Sequence, residues 1–164
     1  MVELIPIINL LILWLIILPL ATFIHELGHA LAALIVTSSD VTIQLGTDKN
    51  ALRFHCRRLT IILKLGTGFV GCVWVTKTDQ LTPSQLIPIY LAGPLASILS
   101  SLLFGFVYST LITERPLLIF AYACFWQFIA TIIPIRYPRW WWGYSGYASD
   151  GLRLVQTIKK QITN

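Results

Sequence analysis

From Leu4 to Val36 the chain is nearly pure hydrocarbon, and that run constrains the fold more than any other feature. A helix that crosses a bilayer needs about 20 apolar residues at 1.5 Å rise each, and this run exceeds that length. Two further runs, Leu86–Ile112 and Leu117–Ile135, meet the same requirement, the last one narrowly. Hydrocarbon offers no hydrogen-bond partners, so each run must satisfy its backbone internally, and three membrane-crossing helices are expected. The composition agrees: 56% of the 164 residues are hydrophobic and 12% are charged, about half the charge of a soluble domain. The expected organisation is one membrane domain over residues 1–164. A cleaved secretory signal is not expected from the start MVEL, which lacks a basic n-region and a small-residue cleavage site after a short apolar core.

Between the first two runs the pattern changes. VTIQLG, ALRFHCRRLTIILKLG and GFVGCVWV are rich in β-branched and aromatic residues and broken by glycines, which predicts three or four short strands within 40–76. In LRFHCRR the apolar residues alternate with Arg53, His55 and Arg57, as on a half-buried strand. The later strands are more apolar than a solvated loop requires, so a membrane-reentrant β segment shielded by the helices is expected. After the third run, RYPRWWWGYSGY has the tryptophan, tyrosine and arginine content of a headgroup-level segment. SDGLRLVQTIKK then alternates apolar and basic residues at helical spacing and predicts a short interfacial helix.

The net charge of +5 is explained by topology and does not require a nucleic-acid partner. With three spans, segment 37–85 and the tail share one side. That side carries Lys49, Arg53, Arg57, Arg58, Lys64 and Lys77, then Arg136, Arg139, Arg153, Lys159 and Lys160, against Arg115 alone on the other. The asymmetry predicts a multi-pass protein of the cell membrane with its N-terminus outside and its β-rich segment and C-terminus cytoplasmic. Gly66-Thr67-Gly68-Phe69-Val70-Gly71 spells a dinucleotide fingerprint but leads into CVWV, not a helix, so no nucleotide is expected. Cys56, Cys72 and Cys124 are too few and too widely spaced for a disulfide framework.

Within the first run stands His25-Glu26-Leu27-Gly28-His29. Ionisable groups inside such a run are penalised and ordinarily mark function. Residues i and i+4 share a helix face, so His25 and His29 can present imidazole nitrogens to one zinc ion. Glu26, one step round, is placed to take a proton from water. Gly28 keeps the face thin enough for a neighbouring backbone. Counted from Leu4, His25 lies about 30 Å along the helix, near the cytoplasmic edge of the hydrocarbon, and Pro19 is expected to kink the helix just before the motif.

A catalytic zinc site needs a third protein ligand. A third histidine at position 35 would mark a metzincin, but the residue is Ile35. The only downstream glutamate, Glu114, falls on the opposite side of the membrane. Asp40, Asp48, Asp79, Asp150, His55, Cys56 and Cys72 remain. His55 is flanked by arginines, and the first three aspartates sit among turn residues. Asp150, beside Gly151 and on the same side as the end of the first helix, is the favoured ligand. Its competing role is N-cap of the last helix.

HELGH at 25–29, Ala92-Gly93-Pro94 in YLAGPLAS, and Asp150-Gly151 together resemble the site-2 protease family of intramembrane zinc metalloproteases, in a minimal form. The resemblance covers nearly the whole chain, including a β-rich segment where that family carries a membrane-reentrant sheet. It implies one catalytic Zn2+ held by His25, His29 and Asp150, with Glu26 as general base. It also implies hydrolysis of peptide bonds in or near transmembrane segments of membrane-protein substrates. The family commonly has asparagines where this chain has Ser97 and Thr131; with Gly93 and Pro94 these are expected to hold the substrate backbone or brace the site. The alternative is a non-catalytic membrane binding protein or regulator derived from such a protease.

Overall fold

Proline and one capping box set several of the helix boundaries. The computed structural model describes residues 10–47, 49–64, 70–141 and 143–163. Helices α1 (Leu10–Val36), α2 (Pro83–Thr110) and α3 (Arg115–Ile132) are each long and apolar enough to cross a membrane. A fourth, α4 (Asp150–Thr163), follows. Strands β1 (Val41–Leu45), β2 (Ala51–Cys56), β3 (Leu59–Lys64) and β4 (Gly71–Val75) lie between α1 and α2. The glycine fingerprint, apart from Val70 and Gly71, and Asp48 lie outside the described residues.

Helix α2 starts three residues before the run that predicted it. Pro83 opens it, and the Thr82–Gln85 capping box satisfies its first amides. Helix α3 ends at Ile132, not Ile135, because Ile133 precedes a proline and is extended, with φ −64° and ψ 126°. Ahead of Pro19, α1 widens into a π-helical stretch at Leu13–Ile17. Proline offers no N–H to the preceding turn, and a π-bulge is one way a helix absorbs that loss. Two prolines, Pro88 and Pro94, also sit inside α2.

The sheet has the order β2-β3-β1-β4. β1 runs parallel to β3 and antiparallel to β4, and β2 pairs antiparallel with β3. Val41, Ile43 and Leu45 of the central strand are buried against Ala30 and Ala33 of α1 and Ile89 of α2. The β2–β3 turn passes through Arg57 at φ 53°. Arg58 beside it donates to the carbonyls of Leu34 (2.9 Å) and Thr37 (2.7 Å), closing the C-terminal end of α1. β2 differs from the half-buried strand expected. It is an outer strand, and Leu52 and Phe54 on its apolar face are more than half exposed.

The helices meet through small residues. A side chain at Gly28 would strike the Ala92 carbonyl and the Ala96 methyl, so α1 and α2 touch backbone to backbone. Outward, Leu99, Leu102, Leu103 and Phe106 of α2 and Trp126 of α3 are exposed, an apolar surface suited to lipid.

Candidate metal centre

One turn apart on α1, His25 and His29 are buried, at 3% and 6% exposure. Their Nε2 atoms are 3.1 Å apart. Asp150 Oδ2, from the first turn of α4, lies 3.1 Å from the His25 Nε2 and 3.3 Å from the His29 Nε2. Among the described residues this is the group whose side chains could hold a metal ion. Asp40, Asp79, His55, Cys56 and Cys72 are not part of it; His55 is exposed and pairs with the Thr60 hydroxyl at 3.0 Å.

The far nitrogen of each imidazole is fixed. His29 Nδ1 donates to the Ile89 carbonyl at 2.6 Å. A carbonyl can only accept, so Nδ1 carries a proton and Nε2 is the nitrogen that faces Asp150. His25 Nδ1 pairs with the hydroxyl of Ser97 at 2.9 Å. Ser97, 1% exposed, thus braces the His25 ring from behind. Gly93 lies under the His29 ring, where any Cβ would collide with the imidazole. Pro94 beside it is fully buried. Thr131 lines a cavity together with His25, His29 and Asp150, with its hydroxyl turned back to the Gln127 carbonyl of its own helix (2.9 Å).

Asp150 reaches this depth because Ser149 ties two elements together. The Ser149 hydroxyl donates to the Ile133 carbonyl (2.7 Å) and accepts the amides of Ile135 (3.2 Å) and Leu152 (3.1 Å). The last of these is the N-cap bond of α4. Ser149 therefore fills the capping role that competed for Asp150 and leaves the carboxylate free. Gly151 lets α4 lie flush on the Ile132 carbonyl, with no room for a Cβ. Burial alone would raise the Asp150 pKa, but the two imidazoles outweigh it and hold the carboxyl below its usual range. It is ionised at neutral pH.

The donor set fits a metal. Two imidazole Nε2 atoms and a carboxylate oxygen converge on one point, an arrangement that repels itself unless a proton or a metal cation lies between. Ligands on a tetrahedral ion at about 2.0–2.1 Å stand about 3.3 Å apart, close to the separations found here.

Glu26 is not in that group. Its side chain lies over the backbone of Gly71 in β4, where an added Cβ would meet Glu26 Cγ at 2.7 Å and Oε1 at 2.8 Å. It borders a cavity of about 790 Å³ shared with His25, His29, Asp150 and the residues of β4. Sequence reasoning missed Ile89, whose contribution is a carbonyl, and Gly71, a contact across some 45 positions of chain. Ser149 could have been found, as a good N-cap residue directly before the Asp-Gly pair.

Ser97→Ala removes the partner of His25 Nδ1 and is expected to weaken metal binding about 10–100-fold, as loss of such outer partners does. Metal competition against a chromophoric chelator measures it; unchanged affinity would mean that Ser97 only packs. Comparison with protein-family models, with curated proteins and with solved structures finds no match.

Proposed function

We propose that this chain is an intramembrane zinc endopeptidase of the site-2 protease kind, cleaving peptide bonds in or near membrane-spanning segments of other proteins. The observation that carries the reading is the pairing of a buried His25–His29–Asp150 group with a separate carboxylate, Glu26, facing the same cavity. Two imidazoles and one carboxylate are a zinc-type donor set, and a zinc ion held there supplies Lewis acidity toward a peptide carbonyl and water. Glu26 takes the proton of the attacking water and returns it to the leaving amine. A protein that merely held metal or a partner would need no base at position 26.

A helical substrate hides its carbonyls in its own hydrogen bonds and must be unwound first. β4 is the outer strand next to Glu26, and strand addition along it would hold an extended segment. Zinc-loaded protein in nanodiscs is expected to cleave a quenched fluorogenic peptide whose apolar span carries a central Gly-Gly. Zinc-loaded protein that releases no product from such peptides would overturn the reading.

The three apolar helices are read as spans, with β1–β4 and α4 on the cytoplasmic side. Cysteines introduced at Lys49 and Lys159 are expected to resist a membrane-impermeant maleimide on intact cells and to react after permeabilisation. Efficient labelling from outside at either position reverses the orientation.

A further inference from the structure

The segment between α3 and Asp150 is longer than a connection requires, and it forms a loop over the cavity. Its base is closed by pairing of Arg136 with Ala148 and by the Tyr137 amide donating to the Tyr147 carbonyl at 2.9 Å. Its tip reaches β4. Gly143, at φ +83°, sits against Val70 with no room for a Cβ, and the next residue is Tyr144. The Tyr144 ring packs on Tyr137, centroids 5.6 Å apart, and Tyr137 packs on Trp141 at 5.4 Å.

The backbone of β4 shows what Tyr144 touches. The Gly46 amide donates to the Val70 carbonyl (2.7 Å) and the Thr76 amide to the Asp40 carbonyl (2.9 Å). In an antiparallel ladder inward bonding recurs at every second residue. Gly71, Val73 and Val75 therefore direct their amides and carbonyls to the free edge. At Gly71 the amide donates to the Tyr144 hydroxyl at 2.9 Å, and that hydroxyl lies 3.5 Å from the Gly71 carbonyl. Gly71 is also the residue lying against Glu26. Burial first, and the Glu26 carboxylate next, push the phenol pKa above its ordinary value, so the hydroxyl keeps its proton.

We infer that Tyr144 is an internal competitor for the substrate strand: its hydroxyl holds the free-edge backbone position beside Glu26, and an extended segment must displace it to bring a peptide bond to the His25–His29–Asp150 group. The inference rests on the peptidase reading and adds a specificity determinant to it. Val73 gives an incoming strand its first pairing, with the Val75 amide beside it; the Val75 carbonyl already accepts the Thr78 hydroxyl. Only a segment that pairs well enough there to take over Gly71 advances to the site, so weakly extended segments are rejected before chemistry. A single net hydrogen bond corresponds to about a fivefold effect on binding.

The test uses full-length, zinc-loaded protein carrying Glu26→Gln, so that binding is read without cleavage. The probe is a fluorophore-labelled octapeptide of alternating valine and alanine with a central Gly-Gly. Adding Tyr144→Phe is expected to tighten binding about fivefold and to speed hydrogen exchange in segment 70–75 before peptide is added. Peptide should then slow exchange there in both proteins. Val73→Pro removes an outward amide and leaves the ladder to β1 intact; it is expected to weaken binding. Equal zinc content across the variants checks the fold. Unchanged or weaker binding in Tyr144→Phe, binding that leaves exchange at 70–75 unaffected, or no binding to either protein would each overturn the inference. Failure of the peptidase reading shows separately, as zinc-loaded wild type that cleaves nothing.

Discussion

Glu26→Gln is expected to lower the rate of peptide hydrolysis by about 10²–10⁴-fold, the range for a positioned general base, with zinc still bound at wild-type stoichiometry. Glutamine keeps the shape and polarity of the side chain but cannot accept the proton. The separation of the two effects follows from placement. His25, His29 and Asp150 form the group able to ligate a metal, and Glu26, 6% exposed, lies instead over Gly71 and beside Thr22. Loss of the carboxylate removes no ligand. Product release from the fluorogenic peptide and zinc per protein by mass spectrometry are the two readouts. Residual activity within tenfold of wild type would mean that another group supplies the base, and lost zinc would make Glu26 part of the metal site.

The features legible in the sequence were those carried by local periodicity. A spacing of four residues on a helix already placed His25 and His29 on one face, and apolar length already required α1, α2 and α3. The β-branched stretches read correctly as strands because side-chain type and glycine punctuation are local signals. Pairing was not legible. Nothing in VTIQLG says that β1 lies between β3 and β4, and nothing in LRFHCRR says that the face bearing Leu52 and Phe54 stays uncovered.

The same limit explains what was missed at the site. The Ile89 carbonyl that orients His29 belongs to the backbone, so no residue type announces it. Ser97 stood out only as a departure from a family pattern. Its geometry against His25 gives that departure a brace role, since a hydroxyl paired with Nδ1 at 2.9 Å holds the ring as an outer partner should. Tyr144 read as one of a cluster of interfacial aromatics. Its contact with Gly71 depends on a loop folding back across the cavity, and composition carries no information about that direction.

Asp150→Ala is expected to lower zinc affinity by more than the 10–100-fold that follows loss of an outer partner, and to lower hydrolysis with it. Two neutral imidazoles would then face a divalent ion alone at a site that is mostly withdrawn from water. The carboxylate offsets one of the ion's two charges, and an uncompensated charge there is costly. The fold should survive, because Ser149 and not Asp150 caps α4, through its bond to the Leu152 amide. Unchanged helicity in Asp150→Ala therefore separates loss of the ligand from loss of the helix. Ser149→Ala gives the converse: about 1 kcal/mol less stability at the cap, and a smaller loss of zinc as the carboxylate drifts. His55→Ala serves as control, since His55 is exposed and bonded to Thr60 in the sheet. Should Asp150→Ala hold zinc as tightly as wild type while His55→Ala loses it, the third ligand lies on the sheet and the convergence on α4 has another cause.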